Sequence, residues 1–217
     1  MRSLISGLLL ACLFTSAQAD EASLLNQVIE GKHRSAENKA RDRFRHPEQT
    51  LAFFDVKEDM TVVEIWPGAG WYTEILAPYL KDKGKLYAAH FSKDSKVPYF
   101  RNSLRQFVEK IKAQPDVYGK LELTVLQPPE SVQIAPDASA DRVLTFRNVH
   151  NWMNAGQAKA VFAAMYKALK PGGILGAPWL QNQDSRSSRP RLRPASSPPQ
   201  LRLQTSVARR SRGSKQY

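Results

Sequence analysis

The chain has 217 residues and a formal net charge of +12, from 32 Lys and Arg against 20 Asp and Glu. Residues 177–217 hold nine of the basic residues and one acid, whereas residues 20–176 hold 22 basic and 19 acidic residues. The excess positive charge therefore belongs mainly to the tail. The charge of residues 20–176 gives no indication that this part of the chain binds a specific nucleic acid. Residues 20–176 have the length of one ordinary domain.

Residues 1–19 have the pattern of a secretory signal peptide. Arg2 supplies the positive start, and residues 4–14 form an apolar run of 11 residues, shorter than the roughly 20 that a membrane span requires. Residues 17–19 (Ala-Gln-Ala) form a cleavage site. The pattern predicts no transmembrane span and export to a bacterial periplasm, with cleavage after Ala19. A membrane anchor, a buried helix and lipidation of Cys12 remain open alternatives.

Cysteine and histidine usage predicts that no metal is bound. Cys12 is the only cysteine and lies in the leader, so a mature chain would have no disulfide and no thiolate ligand. The four histidines show no metal-ligand spacing; they are His33, His46, His90 and His150.

The N-terminal part of the body predicts helices. Apolar residues at 24, 25, 28 and 29 have helical spacing, and Pro47 suits the first turn of another helix. Residues 32–46, between them, are polar and basic. Two interpretations of this stretch stay open: a solvated helix face, or a lid or anion site above a ligand.

From residue 60 onward, strand and helix patterns alternate. This alternation predicts an α/β domain with a parallel sheet and right-handed crossovers. The predicted strands are 60–66, 86–91, 121–126, 141–146 and a fifth beginning at 174; the predicted helices are 71–77, 97–113 and 158–169. Ligands of such sheets bind at the carboxyl ends of the strands. The turn at residues 67–70 lies at this edge.

The composition changes within the predicted fifth strand. Residues 177–217 are rich in Ser, Pro and Arg and have few apolar residues, which predicts a disordered tail. Because a linker normally starts after an element, the change predicts a frameshift or truncation after about Gly176, with the last strands of the sheet missing. The alternative is a genuine basic tail that binds anionic surfaces non-specifically.

Two segments carry a family resemblance. Residues 62–70 (Val-Val-Glu-Ile-Trp-Pro-Gly-Ala-Gly) resemble the first motif of class I S-adenosylmethionine (SAM)-dependent methyltransferases, and residues 162–173 resemble the helix and turn before that family's fifth strand. Residues 41–47 and 67–74 resemble a bacterial group of predicted methyltransferases that carry signal peptides. The resemblance covers about residues 30–176 and implies a Rossmann-like sheet.

The resemblance implies a SAM site around the first motif. Gly68 and Gly70 would let the backbone approach the methionine part of SAM, and Glu64 would engage its amino group directly or through water. Where the family has an acid for the ribose hydroxyls, this chain has His90, which can both donate and accept hydrogen bonds. The complete set of predicted cofactor-binding residues is Glu64, Trp66, Pro67, Gly68, Gly70, Tyr72 and His90.

The loop after the fourth strand faces the methyl acceptor in this family. Asn148 and His150 are therefore candidates for orienting or deprotonating the acceptor, which is a small molecule or another unknown partner. The alternative for these two residues is a packing and capping cluster. The implied function is methyl transfer from SAM to an unknown acceptor. Two alternatives stay open: a degenerate, non-catalytic Rossmann-like binding module that has lost its C-terminal strands, and a tail-driven binder of nucleic acid or anionic lipid.

Overall fold

A computed structural model describes residues 24–177 and the backbone of residues 207–209. The predicted signal peptide and most of the predicted disordered tail lie outside these residues, so both stay predictions. No helix in the described ranges has the length and apolar character that a bilayer crossing requires.

One twisted sheet organises the domain, in the strand order β3-β2-β1-β4-β5-β6. The first five strands are parallel, and β6 joins β5 in antiparallel orientation. The strands are β1 Thr61–Ile65, β2 Lys85–His90, β3 Glu122–Val125, β4 Ala140–Thr145, β5 Leu169–Gly176 and β6 Val207–Arg209. The predicted parallel α/β architecture is confirmed. In the described chain, β1 is central, and β2 and β4 flank it.

Helices cover both faces of this sheet. The first, α1, includes residues 24–29. The others are α2 Ala36–Ala40, α3 Asp42–Arg45, α4 Pro47–Phe53, α5 Thr73–Tyr79, α6 Pro98–Ala113, α7 Pro115–Tyr118, α8 Val149–Asn154 and α9 Ala158–Ala168. The polar stretch at 32–46 thus contains two short helices, and Pro47 begins α4 as predicted.

The two faces of β1 contribute to two separate hydrophobic clusters. Val62 packs with residues of α1, α4 and α5, whereas Val63 and Ile65 pack with residues of α8 and α9. Successive strand side chains point to opposite faces. Because β1 is buried on both faces, its sequence is an almost unbroken apolar run, interrupted only by Glu64. A carboxylate at that position needs a specific explanation.

The C-terminal edge of the sheet differs from the sequence expectation in two respects. Strand β5 begins at Leu169, before the predicted start at 174, because the chain passes through a register shift opposite Ala140 and Arg142. Residues 207–209 pair with 174–176 as an edge strand, which the composition of the tail did not indicate.

Candidate functional site

The carboxyl ends of β1, β2 and β4 meet at one edge of the sheet, where the chain turns from β1 into α5. The turn is closed by a hydrogen bond of 3.0 Å from the Gly70 amide to the Pro67 carbonyl. Both glycines have left-handed backbone conformations, with φ of 61° at Gly68 and 79° at Gly70. Residues with a Cβ rarely adopt this conformation, which explains glycine at both positions.

The two glycines have different surroundings. A Cβ on Gly68 would meet no atom within 4 Å, so the backbone there borders open space. A Cβ on Gly70 would lie 3.1 Å from the Phe107 ring and 3.3 Å from the Thr73 hydroxyl. Gly70 therefore allows close packing of the turn against α6, whereas Gly68 leaves its backbone accessible to a ligand.

Glu64 is a buried carboxylate one residue before the end of β1, with 1% of its surface exposed. Its Oε2 accepts a hydrogen bond of 2.6 Å from the Thr73 hydroxyl. Burial raises the pKa of Glu64 to about 7, although the Thr73 bond and the charges of Lys110 and Arg45 oppose this shift. A carboxylate that titrates near neutral pH at a strand end is typical of a functional group.

A cleft of about 630 Å³ opens beside the turn. Its volume lies in the range of small-molecule and cofactor sites. Aromatic rings and amides share the lining, which consists of Trp66, Gly68, Phe91, Tyr99, Phe100, Asn148, Asn151, Asn154 and Ala155. Of the predicted site residues, the cleft brings together Trp66, Gly68 and Asn148.

Trp66 combines an unusual backbone with extensive aromatic packing. Its φ is 47°, and its indole N–H donates a hydrogen bond of 2.9 Å to the Leu126 carbonyl. The Trp66 ring lies 4.6 Å from the Phe91 ring and 5.7 Å from the Phe100 ring, centroid to centroid. These contacts offset the roughly 1–3 kcal/mol that a left-handed conformation costs a residue other than glycine. Trp66 is thus a rigid wall of the cleft.

Asn148 holds the ends of two strands together. Its Nδ2 donates to the Ile65 carbonyl at 3.1 Å and to the Thr145 hydroxyl at 3.2 Å. The same side chain lines the cleft. His150 lies two residues after Asn148, within α8, is exposed, and is not among the lining residues. The structure therefore places Asn148 at the cleft but does not bring His150 to it.

His90 is fully buried beneath the turn. Its Nδ1 accepts a hydrogen bond of 2.8 Å from the Phe91 amide, so its Nε2 carries the proton and donates to the Gly68 carbonyl at 3.1 Å. Burial lowers the pKa of His90 to about 4, so the ring is neutral. Both ring nitrogens contact backbone groups, so in this structure His90 supports the glycine turn rather than facing the cleft.

The remaining predicted residues lie around the turn rather than in the cleft. Pro67 is half-buried and accepts the hydrogen bond that closes the turn. Tyr72 is buried, its ring stacks on Phe146 with centroids 3.5 Å apart, and its hydroxyl donates to the Arg45 carbonyl at 3.4 Å.

Sequence reasoning missed a buried charge network that joins the N-terminal helices to the turn. Arg34 donates to both carboxylate oxygens of Asp42, at 2.6 and 2.8 Å, and its Nε lies 3.6 Å from Oε2 of Glu74. Lys110 donates to the Glu74 carboxylate and, at 3.0 Å, to the Ala69 carbonyl. A solvated face is thus the wrong interpretation for Arg34. A hydrophobic-periodicity search cannot detect such a network, because its members come from four separate segments.

No group of three or more His, Cys, Asp or Glu side chains suitable for a metal occurs within residues 24–177. The cleft can supply aromatic faces, amide groups and the open backbone at Gly68. This arrangement can bind a planar or partly apolar ligand.

Solved methyltransferase structures resemble this fold. A SAM-dependent methyltransferase from Aquifex aeolicus has a TM-score of 0.52 and 24% identity, over 70% of this chain and 72% of that chain. The chain has the fold of the class I SAM-dependent methyltransferases. The Rossmann-like prediction is therefore confirmed.

Two other similar structures belong to longer proteins. TrmN from Thermus thermophilus has a TM-score of 0.47 and 16% identity, over 60% of this chain and 36% of its own. The arsenic(III) SAM methyltransferase CrArsM from Chlamydomonas reinhardtii has a TM-score of 0.42 and 18% identity, over 56% of this chain and 38% of its own. No family model and no curated protein sequence matches the chain.

Proposed function

We propose that the protein is a SAM-dependent methyltransferase whose cofactor binds at the β1 turn and the adjoining cleft. The observation that carries this proposal is Gly68: its backbone faces open space in a left-handed conformation at the end of the central strand. The fold supports the proposal, because open parallel sheets bind ligands at this switch point.

The residues present fit the cofactor. SAM carries an ammonium group, a carboxylate, a ribose and an adenine ring. Glu64 is buried beside the turn and outside the cleft lining, and it would engage the ammonium group directly or through water. Trp66 and Phe91 offer aromatic faces for the adenine, and Asn151 and Asn154 offer amides for polar edges.

When bound, SAM would supply an activated methyl group, which an acceptor lone pair would take while the S–CH₃ bonding pair stayed on sulfur. The protein's own contribution would be to align the acceptor with the methyl group and to exclude water. Asn148 would orient the acceptor at the cleft. A proton lost by the acceptor would pass to solvent at the open side of the cleft, since His150 lies outside the lining.

Calorimetric titration of SAM into the folded full chain tests the cofactor. We expect a dissociation constant in the micromolar range, and loss of binding in Gly68→Ala. Gly172→Ala is the matched control. Like Gly68, Gly172 has a positive φ, of 86°, and open space where a Cβ would lie, but it is in β5 and outside the cleft lining. Equal loss of binding in both variants, or no binding by the parent chain, would refute the proposed site.

Transfer of labelled methyl from SAM to cell extracts tests catalysis separately. Label in an extract fraction, absent with heat-treated protein, would support transferase activity and identify the acceptor class. SAM binding without label transfer would instead favour the non-catalytic binding module.

We also propose that the chain is exported to a bacterial periplasm and cleaved after Ala19. The positive, apolar and small-residue regions of residues 1–19 support this proposal. N-terminal sequencing of the exported protein should give Asp20 first, and any other start contradicts the cleavage site. The frameshift after Gly176 stays a prediction, which a strand-coding sequence in another frame of the DNA would support.

A further inference from the structure

Three arginines lie in neighbouring segments beside the glycine turn, Arg41 and Arg147 exposed and Arg45 half-buried. Arg41 caps the start of α3 one helical turn before Arg45, whose amide donates to the Arg41 carbonyl at 3.2 Å, and Arg147 follows β4. The Arg45 guanidinium lies 4.7 Å from the centre of the Trp71 ring, which fixes it in place. We refer to Arg41, Arg45 and Arg147 as the arginine cluster.

The charges of the cluster repel one another. Burial and then the charge of Arg41 lower the pKa of Arg45, and the charge of Arg147 acts in the same direction, whereas Tyr72 and the charge of Asp42 oppose the shift. Among residues 24–177, no carboxylate forms an ion pair with any of the three. Asp42, the acid nearest in sequence, is bound by both nitrogens of Arg34. Water screens part of this repulsion at the exposed Arg41 and Arg147, and a bound anion would relieve the rest.

The position of the cluster connects it to the cleft. Arg147 directly precedes Asn148, which lines the cleft. Tyr72 links the end of α3 to the segment after β4. Its hydroxyl donates to the Arg45 carbonyl, and its ring stacks on Phe146, the residue before Arg147. The backbone of Arg147 has a φ of 66°, a conformation that arginine adopts only under constraint from its surroundings.

We propose that the arginine cluster binds an oxyanion of the methyl acceptor, so that the acceptor is a molecule bearing a carboxylate or a phosphate. This inference rests on the proposed function. Guanidinium groups bind both oxyanions through paired N–H donors. An acceptor held there by its anion would extend past Asn148 and present its nucleophile to the cleft.

Inorganic phosphate and acetate serve as probes because they are simple anions of the two classes. Trp71 lies against the Arg45 guanidinium, so we expect Trp71 fluorescence to change when an anion binds. Each anion is titrated into the full chain at constant ionic strength, with and without SAM. We expect saturable binding of one of them at millimolar concentration or below, with the stronger binder indicating which oxyanion the acceptor carries. Arg45→Gln and Arg147→Gln should each weaken binding about tenfold, from the roughly 1.5–3 kcal/mol of a charged hydrogen bond.

Arg43→Gln is the matched control, since Arg43 lies on the same helix but packs over Phe44. It should change anion affinity less than twofold. Equal weakening in Arg43→Gln, or no saturable binding of either anion, overturns the proposal. A third outcome would be that phosphate or acetate competes with SAM and that Arg45→Gln weakens SAM binding tenfold. The cluster would then hold the cofactor's own carboxylate, which also overturns the proposal about the acceptor. Failure of SAM to bind the parent chain would refute the proposed function instead, whatever the anions do.

Discussion

The Thr73 hydroxyl donates a hydrogen bond of 2.6 Å to the Glu64 carboxylate, and so joins the first turn of α5 to the central strand. This bond lies directly behind the glycine turn. It stabilises the ionised form of a side chain that burial otherwise drives toward the neutral form. The protonation of Glu64 and the stability of the site are therefore coupled.

The pH dependence of stability should reveal this coupling. The folded pKa of Glu64 is about 7 against 4.5 for an unperturbed carboxyl, so the folded state holds the proton more tightly. The contribution of Glu64 to the free energy of unfolding is therefore complete below about pH 4.5 and is lost as pH rises to about 7. At 1.36 kcal/mol per pKa unit, this loss is up to about 3 kcal/mol. Urea unfolding of the parent and Glu64→Gln from pH 4.5 to 8 measures the difference, and parallel curves would contradict the assignment.

Cofactor binding should release a proton near neutral pH. An ammonium group beside Glu64 favours its ionised form, so binding at pH 6.5 should displace part of a proton from the parent chain. Calorimetry of SAM binding in two buffers with different ionisation enthalpies measures the release. Glu64→Gln should bind about tenfold more weakly and release no proton from this position. Equal proton release in both proteins would show that another group titrates.

His90 should stabilise the turn and make it sensitive to acid. His90→Phe leaves the Gly68 carbonyl and the Phe91 amide without their partner, at about 1–3 kcal/mol for each buried group. Since the folded pKa of His90 is about 4 against 6.5 unfolded, its contribution is complete above about pH 6.5 and is lost as pH falls toward 4. The stability gap between parent and variant should narrow over that range. His150→Gln, at an exposed histidine, should stay within about 0.5 kcal/mol of the parent.

The Glu74 network should contribute far more to stability than a surface ion pair. Glu74→Gln removes the charge that Arg34 and Lys110 share at a side chain only 2% exposed, which should cost about 3–5 kcal/mol. Glu109→Gln removes the same charge from an exposed pair with Arg105 and should cost about 0.3–0.5 kcal/mol. Denaturant unfolding of both variants tests the contrast. Similar losses would mean that the Glu74 network is solvated.

The regular part of the fold was predictable because it depends on local patterns. The β1 run from Val62 to Ile65, followed by Pro67 and Gly68, indicated a buried strand and a tight turn, and the structure has both. The early start of β5 was not predictable, because the bulge depends on its pairing with β4, which lies about 30 residues earlier in the chain.

The site was less predictable than the fold, because its residues are defined by contacts between distant segments. His90 occupies the expected strand end, but its neighbours direct both ring nitrogens to the backbone. The lining residues Tyr99 and Asn154 come from helices that carry no motif. The burial of Arg34 and Glu74 depends on contacts between the N-terminal segment and α5, which no local sequence pattern indicates.

The pairing of β6 with β5 has a consequence for the order of folding. Strands β1 to β5 can associate once residue 176 has left the ribosome, whereas β6 requires closure of a loop of about 30 residues and contributes only three paired positions. Closing long loops costs entropy that few contacts recover. For that interval the outer row of β5 amides and carbonyls faces water, available to any strand that arrives first. Newly made chains should therefore be most prone to pair with one another before their C-terminus is complete.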